Sequence, residues 1–160
     1  MWRRTWAGGL AVLGLLGAGT ASAAQQDNLA FVDAAATQTV VEEASSALAA
    51  VFSYDYRKLD DGLQVARARG TDAYLTQHTE LLNKLRPTAT KQKQTATAKV
   101  VAAGVRELHA DTAKLVLYYD QTITRADTNK TAAAGLAATV DLKRIGGVWK
   151  LDTVTNFESP

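Results

Sequence analysis

The spacing of apolar residues changes halfway along the chain, from a helical repeat to an alternating one. Residues 25–52 contain no Gly or Pro. Apolar side chains recur there every three or four positions, at Val40 or Val41, Ala44, Leu48, Val51 and Phe52. An α-helix turns once in about 3.6 residues, so this repeat places the apolar side chains on one helix face. The pattern predicts one long helix from Gln25 to Phe52, with residues 25–39 as a weakly amphipathic stalk.

A second helical stripe begins in the segment VFSYDYRKLDDGL, residues 51–63. Its apolar members are Phe52, Tyr56, Leu59, Leu63 and Ala66. Ser53 and Asp55 are residue types that cap helices, so we expect a break near Tyr54 between two helices. The carboxylates of Asp60 and Asp61 would point about 100° apart on a helix, which makes them poor partners for sharing a proton or a metal ion. The segment is interpreted as a helix joint whose tyrosines pack against the rest of the domain.

A third helix is predicted from Thr71, which can cap it, to Arg86, because Pro87 disfavours helical geometry in the residue before it. The apolar face of this helix is formed by Tyr74, His78, Leu81 and Leu85. His78 is the best candidate for a functional imidazole, and the alternative is a structural histidine bonded at the edge of the core. The other histidine, His109, falls in a predicted turn and is assigned no role.

After the third helix, apolar residues alternate with polar ones, as in half-buried β-strands. Strands are predicted at Lys99–Leu108, in residues 111–125, in residues 135–145, and after the two-residue hairpin signal Gly146-Gly147. The predicted inward residues are Leu115, Leu117, Tyr119, Gln121, Ile123, Leu136, Ala138, Val140, Leu142, Trp149 and Leu151. Gly104 inside a strand indicates a bulge, and residues 126–134 are expected to form a polar loop.

About three helices followed by a curled four-stranded antiparallel sheet define an α+β fold, the cone-shaped architecture of cystatin-like and nuclear-transport-factor-2-like domains. Antiparallel sheets commonly cover one face with helices and leave the other to solvent or to a partner. The predicted organisation is a membrane segment at residues 1–24, a stalk at residues 25–39 and a single extracytoplasmic domain at residues 40–160.

The first 24 residues combine Arg3 and Arg4 with an uncharged run that lasts until Asp27. Two interpretations are open. Ala21-Ser22-Ala23 would end a signal peptide that is cleaved after Ala23, releasing the protein into the envelope or the medium. Alternatively, residues 6–24 would span the membrane once as a permanent signal-anchor. In both cases the arginines hold the N-terminus in the cytoplasm and the domain is exported.

The composition of the chain excludes several kinds of functional site. The chain has 160 residues and no cysteine, so it suits one domain without disulfides, thiolate metal sites or cysteine nucleophiles. Its formal net charge is +2 and its basic residues are scattered, which argues against nucleic-acid binding. The sequence has no phosphate-binding glycine loop, no closely spaced histidine pair and no recognisable catalytic series. We therefore expect no cofactor, no metal ion and no enzymatic activity.

Several short motifs, in this order, resemble the Mce-associated membrane proteins of actinobacteria, which accompany the mammalian-cell-entry (Mce) lipid importers. The motif residues are Ser53, Tyr54, Asp55, Tyr56, Leu59 and Asp60, then Ala103, Gly104 and Val105, then Asp120 and Gln121, and finally Gly147 and Trp149. The resemblance covers nearly the whole chain. One departure is the order of Gly70 and Thr71, since family members usually carry the glycine after the threonine.

The resemblance implies a nuclear-transport-factor-2-like fold, similar to that of inner-membrane scaffold proteins of type IV secretion systems. It also implies a non-enzymatic accessory role in assembling or stabilising an Mce-type lipid importer. The partners would be importer subunits or other envelope proteins, together with the membrane at the N-terminal segment. The motif residues would be mainly structural.

Two other functions remain open on the residues themselves. A pocket between the helices and the curled sheet could bind a lipid or another apolar ligand, with Tyr74, His78, Tyr119 and Trp149 in its wall. An isomerase or dehydratase would instead pair His78 with Asp120 inside the same pocket.

Overall fold

The structure, a computed structural model, describes residues 28–31 and 33–157. Its helices are α1 (Ala34–Val51), α2 (Leu59–Arg69) and α3 (Asp72–Gln92). Its strands are β1 (Tyr54–Asp55), β2 (Gln94–Leu108), β3 (Thr112–Arg125), β4 (Lys130–Ile145) and β5 (Val148–Phe157). The strands form one antiparallel sheet in chain order.

The α+β class is confirmed, and the sheet has five strands rather than the predicted four. The additional strand, β1, is only two residues long, which is too short to show an alternating pattern in the sequence. The predicted membrane segment at residues 1–24 lies outside the described residues. Of the helices in the described part of the chain, none is long and apolar enough to cross a membrane.

Helix α1 begins at Ala34 and not at Gln25. Asp33 is its N-cap, because the Asp33 carboxylate accepts a hydrogen bond from the N–H of Ala36 at 2.8 Å. Ahead of the cap, residues 29–31 form a 3-10 turn and Asn28 is buried against β2. The prediction of a continuous helix is therefore wrong between Asn28 and Asp33. Within the predicted helical stalk, residues 25–39, the described part is a 3-10 turn at residues 29–31 followed by the start of α1.

The predicted break near Tyr54 is confirmed. Helix α1 ends at Val51, β1 pairs with the start of β2, and a 3-10 turn at Tyr56–Lys58 leads into α2. Within the predicted stripe, Leu59 and Ala66 are buried, whereas Tyr56 and Leu63 are half-buried. The joint therefore turns the chain at the edge of the sheet.

Helix α3 continues through Pro87 to Gln92, so its predicted end at Arg86 is wrong. A proline inside a helix costs about 3 kcal/mol because it lacks an N–H and crowds the preceding turn. Ala89, in the turn that follows the proline, is fully buried, so packing of the last turn recovers part of this cost. The buried face is formed by Tyr74, His78, Leu82 and Ala89. Leu81, which was predicted on that face, is 42% exposed.

The long strands correct three details of the prediction. Strand β2 starts at Gln94 rather than Lys99, and β4 starts at Lys130, so the predicted loop of residues 126–134 is confined to residues 126–129. The register of β2 on β3 shifts at Val101 and again at Arg106, while Gly104 lies opposite Val116. The bulge prediction is therefore wrong for Gly104 itself. Two bulges flank it instead.

The hairpin prediction at Gly146-Gly147 is confirmed. Both glycines have positive φ angles, 59° and 84°, which is the backbone geometry that a tight two-residue hairpin requires. Strands β4 and β5 pair directly at its base, Ile145 opposite Val148.

The core lies between the helices and the inner face of the sheet. The predicted alternation is confirmed at its centre by seven buried residues, Leu115, Leu117, Tyr119, Ala138, Val140, Leu142 and Leu151. Helix α1 adds Val40, Ala44, Ala47, Leu48 and Val51. The outer face of the sheet has no helix against it in the described part of the chain.

Strand β5 is an edge strand whose backbone is bonded by the helices. The Glu43 carboxylate accepts from the N–H of Trp149 at 3.1 Å, and the N–H of Thr71 donates to the carbonyl of Leu151 at 2.8 Å. The amide of Gln77 donates to the Val154 carbonyl at 2.8 Å and accepts from the Val154 N–H at 3.1 Å. These bonds occupy an edge that could otherwise pair with another chain.

Candidate functional site

A cavity opens between helix α3 and the inner face of the sheet. It has a part of about 300 Å³ towards β5 and a part of about 200 Å³ towards β3 and β4. The two parts share Phe52, His78, Leu81 and Asn156. Further apolar walls come from Val51, Leu82, Leu85, Ile123, Leu136 and Val154. The larger part lies at the lower limit of the range for small-molecule sites, about 300–1,000 Å³, and the smaller part lies below it.

Tyr74 and His78 form the deep wall of the cavity. They lie four residues apart, which places both side chains on the same face of α3. Their rings stack with centroids 5.6 Å apart at 30°, and the Tyr74 hydroxyl lies 3.4 Å from Nδ1 of His78. Burial lowers the pKa of His78. Burial raises the pKa of Tyr74, and the electrostatic effect of the neighbouring Tyr119 raises it further. Both side chains are therefore neutral near pH 7.

Tyr119 completes the inner wall from β3. Its ring stacks on Phe52 with centroids 5.5 Å apart, and its hydroxyl donates to Oδ1 of Asn156 at 3.1 Å. Burial raises the pKa of Tyr119, so this hydroxyl stays protonated. Of the residues that the structure describes, the charged ones that line the cavity are Glu80 and Lys84, and both are exposed. The interior is neutral and mainly apolar.

The structure does not bring Asp120 into this cavity. Tyr119 points inward, so the next residue of the strand points to the opposite face, where Asp120 is exposed. Oδ1 of Asp120 lies near Gly135 of β4 on that outer face. The sheet therefore separates Asp120 from His78, and the predicted pair is not formed.

Trp149 also lies away from the cavity. It is buried at the start of β5, with the Arg144 guanidinium 5.9 Å from the centre of its ring. Of the predicted pocket residues, Tyr74, His78 and Tyr119 come together, whereas Asp120 and Trp149 do not.

The sequence analysis missed Asn156 as a wall residue. Trp149 and Leu151 point inward, and strict alternation would then send Thr153 inward and Asn156 outward. An irregularity beside Leu142 shifts the register of β5 on β4, so Val154 is buried and Asn156 reaches the cavity instead. Nothing in the sequence marks this shift, because the residues on either side of it are ordinary strand residues.

Three of the resemblance motif residues tie the helix joint to the sheet. Oγ of Ser53 donates to the Ala49 carbonyl at 2.7 Å and accepts from the N–H of Ala98 at 3.0 Å. The Tyr54 hydroxyl donates to Gln94 at 3.1 Å, and burial raises the pKa of Tyr54. The Gln121 amide donates to the backbone carbonyl that ends α1, at Phe52, at 3.2 Å.

Two acidic motif residues, Asp55 and Asp60, form ion pairs with arginines at the protein surface. Hydrogen bonds from Arg57 lower the pKa of Asp55 to about 2, and the Arg57 guanidinium lies 5.8 Å from the ring centre of Tyr56. Asp60 forms an ion pair with Arg86 across to α3 at 2.5 Å. Exposed pairs of this kind contribute little to stability.

The remaining motif residues have backbone or packing roles. Leu59 is a buried residue at the start of α2, Gly147 occupies a turn position with positive φ, and Gly104 lies in an exposed stretch of β2. Among the described residues, no three His, Asp or Glu side chains are grouped so that they could hold a metal ion.

Solved structures with this fold come from several bacterial proteins. The periplasmic domain of DotI superposes with a TM-score of 0.65 at 15% identity, covering 75% of this chain and 94% of that domain. CagV, a VirB8 homolog of the type IV secretion system of Helicobacter pylori, gives 0.62 at 15% identity, covering 76% and 98%. A nuclear-transport-factor-2-like protein of Salmonella enterica gives 0.56 at 18% identity, covering 76% and 92%. The nuclear-transport-factor-2-like fold is thereby confirmed.

No family model matches the chain. Two relatives occur in Mycobacterium tuberculosis. The uncharacterized protein Rv1362c is 32% identical over 124 residues, which is 77% of this chain but 56% of Rv1362c, so the chain spans about half of that relative. The outer membrane protein Rv1973 is 34% identical over 135 residues, which is 83% of this chain and 81% of Rv1973. The chain therefore belongs to the family of the M. tuberculosis outer membrane protein Rv1973.

Proposed function

We propose that this protein is a non-catalytic, membrane-tethered accessory protein of the cell envelope, which helps to assemble or stabilise an Mce-type lipid importer. The observation that carries the envelope location is the relationship to Rv1973, which is named an outer membrane protein. The fold supports a scaffold role, because CagV, a VirB8 homolog of a type IV secretion system, carries it, as does the periplasmic domain of DotI. The motifs from Ser53 to Trp149 point to Mce importers as the complex.

The placement of the chemical groups supports a role without catalysis. His78 of α3 lines the cavity on the inner side of the sheet, whereas Asp120 of β3 is exposed to solvent on the outer side. General acid–base catalysis needs its groups within hydrogen-bond reach of one substrate. This pair cannot meet that condition in the described fold.

The outer face of the sheet supports a role in binding a protein partner. Four neighbouring strands place Ala102, Tyr118, Ala137 and Phe157 in one row of directly paired residues. Tyr118 is 53% exposed and Phe157 is 48% exposed. Aromatic side chains are enriched at protein interfaces, because a ring buries a large area at a small cost in side-chain entropy. An importer subunit would cover this row.

Co-purification tests the proposal. A C-terminally tagged full chain is solubilised from envelopes with mild detergent, and the proteins that remain bound are identified by mass spectrometry, together with the N-terminal peptide. We expect importer subunits to be recovered with the wild-type chain and lost with Tyr118→Ser. Ala133→Ser is the control, since Ala133 is exposed on the same face of β4, away from both the row and the β4–β5 hairpin. A chain recovered without importer subunits would refute the Mce assignment, and one that begins at Ala24 would refute the tether.

A second candidate function is the binding of a small apolar ligand, and the neutral cavity beside His78 favours it. Native mass spectrometry of the detergent-purified chain would detect a retained lipid. Leu136→Trp places a large ring in the part of the cavity beside β4 and should abolish that retention. A wild-type chain that carries no bound molecule after extraction would remove this candidate.

A further inference from the structure

The tip of the β4–β5 hairpin exposes two large aliphatic side chains. Ile145 is 50% exposed and Val148 is 52% exposed, and the two residues pair directly across the hairpin. The turn between them consists of Gly146 and Gly147, so no larger side chain shields them. Two adjacent aliphatic side chains at a projecting turn form a small apolar patch, which suits insertion into a membrane interface when basic residues flank it.

Basic side chains surround this tip. Lys143 and Arg144 precede it, Lys150 follows it, and Arg67 approaches from the end of α2. Arg67, Lys143, Lys150 and Ile145 line one open concavity of about 440 Å³. Nζ of Lys150 donates to the carbonyl of Ala68 at 3.2 Å, which holds the hairpin against α2.

Among the carboxylates near these cations, Asp111 adjoins Arg144, whose N–H donates to the Asp111 backbone carbonyl at 2.9 Å, and Asp141 lines a concavity with Lys143. Of three others, two have partners. Asp152 pairs with Lys143 at 2.9 Å and accepts from the Thr71 hydroxyl at 2.9 Å. Glu43 accepts from the backbone N–H of Trp149 at the start of β5. The third, Asp72, lines the concavity.

Three of the cations are not neutralised by a carboxylate of the residues that the structure describes, although Nε of Arg144 donates to the carbonyl of Gly147 at 3.2 Å. Arg67, Arg144 and Lys150 form no ion pair among the described residues. The tip therefore combines an apolar pair with cations that have no carboxylate partner within the part of the chain that the structure describes.

Asn28, the first residue that the structure describes, lies at the same end of the sheet as the β4–β5 hairpin. Asn28 donates to the carbonyl of Arg106 and accepts from the N–H of Leu108, both at 2.9 Å, at the end of β2. The antiparallel order brings the end of β2, the start of β3 and the β4–β5 hairpin to this one end, and the N–H of Arg144 donates to the carbonyl of Asp111.

The distances allow one membrane to hold the predicted N-terminal segment and also to contact the tip of the β4–β5 hairpin. The predicted membrane segment ends at Ala24, and the four residues from there to Asn28 can span at most about 14 Å when extended. Neighbouring strands are about 4.8 Å apart, so the hairpin lies only about 15 Å across the sheet from β2. A bilayer that holds the segment would be close to the hairpin tip.

We propose that this hairpin tip, Ile145 and Val148 with Arg67, Arg144 and Lys150 around them, is a membrane-docking surface for anionic phospholipid. It rests on the tether of the proposed function. The aliphatic pair enters the interfacial region while the guanidinium and ammonium groups contact lipid phosphates. A domain that is held at both the tether and the hairpin keeps a fixed orientation on the membrane. The outer face of the sheet, with Tyr118, is then directed along the membrane plane towards a neighbouring protein.

Site-specific fluorescence tests this surface on the full chain. The sequence has no cysteine, so Val148→Cys carries a single environment-sensitive nitrobenzoxadiazole label. Thr128→Cys is the matched control, because Thr128 is exposed in the β3–β4 loop at the opposite end of the sheet. Both labelled chains are reconstituted into vesicles of phosphatidylcholine alone or of phosphatidylcholine with an equal amount of phosphatidylglycerol, and the vesicles are floated.

We expect a blue shift of the label at position 148 in the phosphatidylglycerol vesicles and none at position 128. The shift should shrink at high salt, since screening weakens contacts between exposed charges. It should also be lost when Arg67, Arg144 and Lys150 are all replaced by Gln. Three results for a chain that floats would overturn the docking surface and leave the tether intact. These are no shift at position 148, equal shifts at positions 148 and 128, and equal shifts in the two kinds of vesicle. A chain absent from the floated fraction would overturn both.

Discussion

Asn28 offers the sharpest test of how the start of the domain is held. Its side chain is 8% exposed and makes three hydrogen bonds. Oδ1 accepts from the N–H of Leu108 at 2.9 Å and from the N–H of Ala30 at 3.1 Å, while Nδ2 donates to the carbonyl of Arg106 at 2.9 Å. Asn28→Ala removes all three bonds at once and leaves a buried backbone N–H without a partner.

The expected loss follows from these bonds. A hydrogen bond contributes about 0.5–1.5 kcal/mol net, and three give about 1.5–4.5 kcal/mol. Water can reach part of the vacated site, so we expect the free energy of unfolding to fall by about 2–3 kcal/mol. With a urea m-value of about 2 kcal/mol/M, the unfolding midpoint drops by about 1–1.5 M. Asn28→Asp keeps both accepted bonds but turns a carboxylate oxygen towards the carbonyl of Arg106, so at neutral pH its loss should be at least as large as that of Asn28→Ala.

Urea unfolding of the full chain in mild detergent, followed by circular dichroism, measures this loss. Gln38→Ala is the control, because Gln38 bonds to Glu42 on the exposed face of α1. Pairs of that kind contribute about 0.2–0.5 kcal/mol. The reasoning fails if Asn28→Ala unfolds at the same urea concentration as Gln38→Ala.

Three further changes test other parts of the fold by the same unfolding measurement, and a fourth tests its pH dependence. Gly70→Ala should cost at least about 2 kcal/mol, because its Cβ would lie 2.4 Å from Cδ1 of Tyr74. Gly104→Ala, with no atom within 4 Å of its Cβ, should be neutral or slightly stabilising; equal effects of the two changes would contradict the packing argument. Gln77→Ala should cost about 1–3 kcal/mol through its two bonds to the backbone of β5, and an effect under about 0.5 kcal/mol would show that water replaces them. Burial lowers the pKa of His78, so the unfolded chain takes up the proton first and stability should fall as the pH drops from about 6.5 towards the folded-state pKa. His78→Gln should remove this slope, and an identical slope in that variant would exclude His78 as its source.

The candidate site could be predicted only in part. Tyr74 and His78 lie on one helix face, and Tyr119 follows the alternation of β3, so local periodicity is enough to place all three inward. Asp120 is next to Tyr119 in the sequence, which suggests a shared pocket. In a strand, however, adjacent side chains point to opposite faces, and the sheet lies between Asp120 and the cavity.

The errors in the secondary structure have a common origin. Pro87 predicts an end to α3, and the helix continues because Ala89 is buried against the rest of the domain. The predicted start of α1 is too early because Gln, Asn and Ala are compatible with a helix, whereas Asn28 makes its bonds to β2, about eighty residues away. Local propensity cannot register contacts of this length.

The sequence by itself determined the helical and alternating halves, the joint at Ser53–Tyr56 and the hairpin at Gly146-Gly147, because each depends on spacing within a few residues. Tertiary structure alone decided the two bulges of β2, the closed edge of β5, the exclusion of Asp120 and Trp149 from the cavity, and the meeting of Arg67 with the β4–β5 hairpin. The physical reason is that these features depend on backbone hydrogen bonds and packing between segments far apart in the chain, and such contacts leave no periodic signal in either segment.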